Sequence, residues 1–331
     1  MTTHVQSGSL PATGPRPESK ARSFARLGKL DVYDYYPSIA VALSAALLPL
    51  SRFGAAAVWT LALFLVGEVL VVMAMVALDD VTGYRDGSDA ANYGPNDPLR
   101  RKLRKPLIAG TLSMREALAF AWITAAGGAA LWSAAVVVAP HRPGWTLALV
   151  PVLFVTALQY SYGVKISYRG FQEVFLVALG VALVLAPYGL AAGRFSGFVL
   201  ILGVLFGFGP LMFGVYSNTN DIPGDRAVGR PTVACLVSAR GNAVFIGALS
   251  AAEFLVGAAG SATGVAPWWF VALMLPVTAL RARQYLTGFG GGGGFGGGDI
   301  MRARRQGFVV HRVSTVLLIC AGLLHGAEAA A

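Results

Sequence analysis

Charge is scarce in this chain. Only 13% of its 331 residues are Asp, Glu, Lys or Arg, about half of what a soluble domain uses to cover a water-exposed surface. Cysteine is scarcer still: Cys235 and Cys320 are the only two. A disulfide framework is therefore excluded, and no CxxC or Cys/His cluster offers a structural zinc site. The first 30 residues contain no apolar run, so a cleaved secretory signal is not expected there. No GxxxxGK[ST] sequence occurs. The run Gly288–Gly298, broken only by Phe289 and Phe295, follows no strand and reads as a flexible linker, not a phosphate-cradling loop. What the chain does have is apolar surface, with 56% hydrophobic residues and a mean hydropathy of +0.63. That composition predicts a polytopic, all-α integral membrane protein.

Apolar stretches lie near 36–51, 55–78, 115–139, 144–162, 172–192, 196–217, 242–262, 266–281 and 308–327, most of them close to the ~20 residues that cross a bilayer core. They predict a bundle of nine transmembrane helices around a central cavity. The stretch 266–281 is the shortest and contains Pro276, which leaves an eight-helix count open. Residues 1–30, rich in Pro, Ser and Arg, read as a disordered tail, and 31–331 as one transmembrane domain. The net charge of +10 comes from 26 basic and 16 acidic residues. Assigning loops alternately to two sides puts Arg52, Arg142 and Arg194 on one and the other 23 of the 26 basic residues on the opposite one. By the positive-inside rule the amino terminus and the loops near 79–114, 163–171, 218–241 and 282–307 are cytoplasmic, in the cell membrane, and the cavity opens on that side. Topology accounts for the basic excess, and nucleic-acid binding is not needed to explain it.

Seven of the 16 acids fall in two of these loops: Asp79, Asp80, Asp86, Asp89 and Asp97 in one, Asp221 and Asp225 in the other. Each set begins where an apolar helix ends. Carboxylates three or four residues apart share a helix face and repel unless a cation lies between them. Oxygen-only ligands suit a hard ion, and Mg²⁺ takes one or two carboxylates and completes its shell with water and phosphate oxygens. Two facing acidic clusters therefore suit a diphosphate held through Mg²⁺.

The first loop reads DDVTGYRDGSD from Asp79 to Asp89 and continues as RKPLIAGTLS from Arg104 to Ser113. It resembles the first aspartate motif of the UbiA-type intramembrane prenyltransferases, in particular their dihydroxynaphthoate (menaquinone-pathway) branch, whose NDxxDxxxGxD run is followed by a basic-Pro-Leu segment. From Asn218 the chain reads NTNDIPGDRAVGRPTVA, similar to the family's NxxDxxxDxxxGKRTLA. Between them YSYGVKISYRGFQE, Tyr160 to Glu173, resembles its YSxPPxxLKxRGxxE loop. Asp80 and Asp89 match metal-binding aspartates of the first motif, Asp221 and Asp225 those of the second, and Asn218 the asparagine that precedes them. Two positions depart from the pattern. Gly83 stands where the family has its middle aspartate, and Asp79 where it has asparagine, which makes Asp79 a further metal-ligand candidate, with Asp86 a second possible compensation. Ser167 holds the family's lysine position, with Lys165 two residues earlier.

The resemblance implies Mg²⁺-dependent transfer of a prenyl group from a prenyl diphosphate to an aromatic or other small acceptor. The charge of the leaving diphosphate needs neutralising as it forms, and Arg85, Lys165, Arg226 and Arg230, beside the motifs, are the expected contacts. Aromatic faces stabilise the allylic cation, and Tyr160, Tyr162, Tyr168 and Tyr216 lie near the expected mouth. Glu68 precedes Asp79 by 11 residues, about three turns, so it sits deeper on the same face; it either orients the acceptor and takes its proton, or ties two helices together. Glu253, without a motif neighbour, reads as structural and His311 and His325 as ordinary helix-end residues, while cavity depth and the packing of small residues such as Gly180, Gly203 and Gly207 are expected to set prenyl chain length. Two other functions stay open: a terpene cyclase that needs no acceptor, and a cation transporter, against which stands the gathering of the acids at one face.

Overall fold

The computed structural model describes residues 19–32, 34–92, 103–290 and 298–330. Residues 1–18 of the expected tail, Asp97 and most of the glycine run lie outside the described residues. All regular structure among the described residues is helical. In chain order the helices are α1 (Lys20–Leu27), α2 (Ser38–Ala46), α3 (Ala55–Asp86), α4 (Ser88–Asn92), α5 (Met114–Val138), α6 (Gly144–Leu158), α7 (Gln172–Ala192), α8 (Gly197–Asn220), α9 (Ile222–Ala227), α10 (Val233–Leu236), α11 (Ala239–Ala262), α12 (Phe270–Leu273), α13 (Leu275–Phe289) and α14 (Ile300–Ala330).

Six of these, α3, α5, α7, α8, α11 and α14, are long and apolar enough to cross a membrane. Helices occupy the other three apolar stretches too, but they are short. The stretch near 36–51 yields only the nine residues of α2, because Pro49 cannot continue a helix and disfavours helical geometry in the residue before it. The stretch 266–281 divides, and Pro276 sits in the first turn of α13, where its missing N–H costs nothing. The helix then runs to Phe289, past the Arg281 and Arg283 that ended the apolar pattern. The tail is not wholly without structure: residues 20–27 form α1, capped by the Ser19 side chain and anchored through Leu27, which is fully buried beside Leu78 and Leu107.

Helix α3 has 32 residues. At ~1.5 Å per residue that is roughly 48 Å, against ~30 Å of hydrocarbon, so its last turns outrun an apolar slab and carry the first motif beyond it. It packs along α5, where Trp132 stacks on Phe64 with centroids 4.9 Å apart and donates from Nε1 to the Phe64 carbonyl at 3.0 Å. Helices α7 and α8 cross where Gly180 lies against the backbone of Gly207, and a Cβ there would collide with it. Gly180, Gly203 and Gly207 thus serve close helix approach, and none of them lines the cavity.

Two acids inside apolar segments are explained by partners. Glu253 on α11 takes Arg281 of α13 in a two-pronged ion pair, at 2.6 and 2.9 Å, and Arg281 also donates to Gln284 at 2.7 Å. A charge is tolerated among apolar helices when paired in this way. Glu68 on α3 is fully buried and receives the Ser38 hydroxyl of α2 at 2.9 Å to each oxygen. His311 lies well inside α14, not at a helix end. It is buried between the rings of Phe206 and Phe213, with Nε2 2.7 Å from the Asp34 carbonyl.

Candidate active site

At one end of the bundle α3 and α8 finish and α7 and α14 begin, around a cavity of about 300 Å³. Its inner wall is apolar, formed by Val72, Met75, Val76, Leu176, Pro210 and Phe213. Its outer wall is charged, with Asp79, Asp89, Asp221 and Asp225 facing Lys29, Lys105, Arg230 and Arg304. The three motif segments of the sequence therefore meet in one chamber.

The first motif is set by the end of α3. Gly87, with φ 83, closes that helix in the left-handed region that glycine enters freely, and α4 turns Asp89 back toward Gly83. Gly83 itself is helical. A Cβ on it would lie 2.8 Å from the Asp89 carboxyl, so the glycine makes room for Asp89 and is not there for a positive φ. Lys105 Nζ bridges Asp80 Oδ1 at 2.8 Å and Asp89 Oδ1 at 2.9 Å. Lys29 Nζ lies 3.2 Å from the same Asp80 oxygen and 4.0 Å from Asp79. Asp80 is 1% exposed, does not line the cavity, and its Oδ2 has no hydrogen-bond partner among the described residues. Asp86 is occupied elsewhere, accepting from the Tyr168 hydroxyl at 2.6 Å and the Ser88 N–H at 3.0 Å.

The second motif follows α8. Asp221 ends that helix and Asp225 lies one turn on in α9, its N–H bonded to the Asp221 carbonyl at 3.0 Å. Asp225 accepts from Thr232 at 3.3 Å and has Arg230 3.8 Å away, while Asp221 forms no ion pair among the described residues. Asn218 lines the cavity and accepts from Gln172 Nε2 at 3.1 Å. Gln172 in turn receives Arg230 at 3.0 Å.

Burial pushes the Asp89 carboxyl up to about 6, against the pull of Lys105 and with the repulsion of Asp80. Burial likewise brings Asp225 to about 6, opposed by Arg230 and helped by Asp221. For Lys105, burial is outweighed by Asp80, Asp89 and Asp79, which hold the ammonium well above its ordinary value.

The middle loop folds back on itself, with Ser167 N–H bonded to the Tyr160 carbonyl at 2.8 Å and the Ser161 and Ser167 hydroxyls 2.9 Å apart. Tyr160 lines the cavity, stacked on Phe175. Lys165 and Arg230 both lie over the ring of Tyr168, at 4.9 and 5.0 Å. Lys165 does not itself line the cavity. Arg85 and Arg226 are exposed and lie off its wall. Tyr162 packs edge-on against Trp122, and Tyr216 is fully buried beside Phe289. Glu68 is absent from the cavity lining as well. Sequence reasoning passed over Lys29, Lys105, Gln172 and Arg304. Lys105 stood in the basic-Pro-Leu segment, the one signal that could have found it.

Among the described residues no three His, Cys, Asp or Glu side chains gather into a protein-built metal cage. Asp221 and Asp225, adjacent on one helix face and open to the cavity, fit Mg²⁺, which needs only one or two carboxylates when phosphate and water complete the shell. The space between Asp80 and Asp89, by contrast, holds an ammonium.

Residues 38–288 match the model of the UbiA prenyltransferase family. A digeranylgeranylglyceryl phosphate synthase of Korarchaeum cryptofilum is 30% identical over 190 residues, 56% of this chain and 59% of that protein, so the chain spans less than two thirds of that relative's length. The fold is shared with a UbiA homolog from Archaeoglobus fulgidus bound to GPP and Mg²⁺, at a TM-score of 0.63 and 14% identity over 91% of this chain and 98% of that one. It is shared as well with the apo UbiA homolog from Aeropyrum pernix K1, at 0.62 and 20% over 89% and 98%.

Proposed function

The chain belongs to the UbiA prenyltransferase family, and on that premise we propose that it transfers a prenyl group from a prenyl diphosphate to an acceptor within the membrane. One observation carries the reading: a single cavity joins an apolar inner wall to a charged outer wall bearing both aspartate motifs, as an amphipathic diphosphate substrate requires. In the reaction the allylic C–O bond breaks with its electron pair passing to the diphosphate, and the acceptor attacks the carbocation and then gives up a proton to the released diphosphate. Asp221 and Asp225 would hold Mg²⁺, which would supply charge neutralisation for the leaving group. Arg230, pinned by Gln172, and the lysines Lys29 and Lys105 face the same negative charge. Tyr160 and Tyr168 present rings to the cation, and Lys165 acts on the site only by stacking on Tyr168. Asn218 positions Gln172.

An aromatic acceptor is supported by Tyr35, Phe213 and Phe308 on the cavity wall. A phosphate-bearing glyceryl acceptor is the second reading, supported by Arg26, Arg104 and Arg304 on the same wall and by the likeness to the digeranylgeranylglyceryl phosphate synthase of Korarchaeum cryptofilum. Purified protein incubated with labelled geranylgeranyl diphosphate and Mg²⁺ should give a prenylated product only when an acceptor of one class is added. A terpene hydrocarbon or alcohol released without acceptor would mark a cyclase, and release of neither product from any prenyl diphosphate would sink the reading.

Six helices long enough to cross and shorter helices at the other three apolar stretches are compatible with a nine-span arrangement in the cell membrane, and the excess of basic residues in the motif-bearing loops supports a cytoplasmic cavity mouth and amino terminus. In a Cys235→Ser/Cys320→Ser background, a cysteine at position 142 should react with an impermeant maleimide outside intact cells, and one at position 169 should not. The reverse pattern would invert the topology.

A further inference from the structure

The charge balance of the two aspartate clusters differs in a way the motif pattern does not foretell. At the first, two ammonium groups already stand where a cation is needed: Lys105 between Asp80 and Asp89, and Lys29 against Asp80 and Asp79. Both lysines ride on segments held by one apolar cluster, since Leu27 on one side and Leu107 and Leu112 on the other are buried together with Leu78 and Ala117. Lys29 moreover adopts φ 49, a left-handed conformation that costs energy in a residue with a side chain and that persists where surroundings enforce it. Gly83 completes the arrangement, because its missing side chain lets the Asp89 carboxylate come within reach of Lys105. Asp80, the partner of both lysines, is closed off from the cavity. At the second cluster, among the described residues, Arg230 is the cation within ion-pair range, 3.8 Å from Asp225, and both carboxylates open on the cavity.

We propose that Lys29 and Lys105 take the place of a metal ion at the first aspartate cluster, so that the chain binds a prenyl diphosphate with a single divalent cation, at Asp221 and Asp225. The inference rests on the prenyl diphosphate reading above. The outer oxygens of the diphosphate then meet the two lysines directly on the α3 side and the metal on the α8 side. A lysine is a compact point charge with three donors, suited to phosphate oxygens without fixed coordination geometry. The loss of the family's middle aspartate at Gly83 and the gain of Asp79 are then parts of one change, from a metal-holding cluster to a lysine-holding one.

Counting bound Mn²⁺ by electron paramagnetic resonance tests this, using the full chain in detergent with geranyl S-thiolodiphosphate, an analogue that resists ionisation. One Mn²⁺ per chain is expected in the wild type, lost in Asp225→Asn and kept in Asp89→Asn. Lys105→Met should raise the count to two by freeing Asp80 and Asp89. Two ions in the wild type, loss in Asp89→Asn with retention in Asp225→Asn, or a count that stays at one in folded Lys105→Met would each overturn the proposal. Should Lys105→Met fail to fold, the wild-type count and the two aspartate variants still decide. No Mn²⁺ bound with the analogue at any concentration would overturn the prenyl diphosphate reading itself.

Discussion

Asp225→Asn should lower pyrophosphate release from a prenyl diphosphate by ~10²-fold while leaving thermal unfolding unchanged. Removing one carboxylate from the proposed metal and phosphate site withdraws charge stabilisation as the leaving group departs, worth ~3 kcal/mol, and each ~1.4 kcal/mol is tenfold in rate. Asparagine is the informative replacement. Asp225 is 3% exposed and accepts from Thr232, so alanine would open a void and leave the Thr232 hydroxyl without its acceptor, confusing stability with chemistry. Asn keeps the shape and the acceptor. Asp221→Asn, at a half-buried carboxylate that accepts from Asn220 Nδ2 at 3.0 Å, should show the same loss. Near-normal turnover of both variants at saturating Mg²⁺ would show that the second motif does not hold the metal.

Gly83→Asp would restore the family pattern, and it should nevertheless impair the enzyme, by ~10-fold or more in turnover. The Cβ alone falls 2.8 Å from the Asp89 carboxyl, so Asp89 must swing off Lys105, and a fourth carboxylate joins Asp79, Asp80 and Asp89. Displacements of about 1 Å among groups that position a substrate cost up to ~10²-fold. Gly83→Ala carries the steric part of that effect without the charge and should fall between the two. If Gly83→Asp instead raised turnover and lowered the Mg²⁺ requirement, the first cluster would be a metal site lacking a ligand, and the role given to Lys29 and Lys105 would be wrong.

Much of this was legible in the chain itself, for identifiable reasons. A membrane helix must satisfy its own backbone and present apolar side chains over its whole length, so α3, α5, α7, α8, α11 and α14 announce themselves as long apolar runs. Asp221 and Asp225, four residues apart at a helix end, share a face by local geometry alone, and both reach the cavity. The limits were also physical. Pro276 looked like a proline inside a span, yet it begins α13, and the arginines that ended the apolar pattern are part of that helix because Arg281 meets Glu253 of a helix 28 residues away in sequence. Lys105 lies 25 residues from Asp80 and Lys29 lies on the far side of two helices, so neither pairing has a periodicity to betray it. Arg85 and Arg226 stand next to the motifs in sequence, but helix rotation points them outward. Adjacency in the chain was the wrong guide there, and Glu68 shows the same limit, since a shared face with Asp79 did not bring it to the cavity.

The most direct test of the account is pyrophosphate release from geranylgeranyl diphosphate by the purified chain, followed as Mg²⁺ is added and then removed with EDTA. Release should saturate with Mg²⁺ in the presence of an acceptor, stop with EDTA, and be nearly absent in Asp225→Asn under all conditions. Release unaffected by EDTA, or equal in the wild type and Asp225→Asn, would contradict the assignment of this cavity as a Mg²⁺-assisted prenyl diphosphate site.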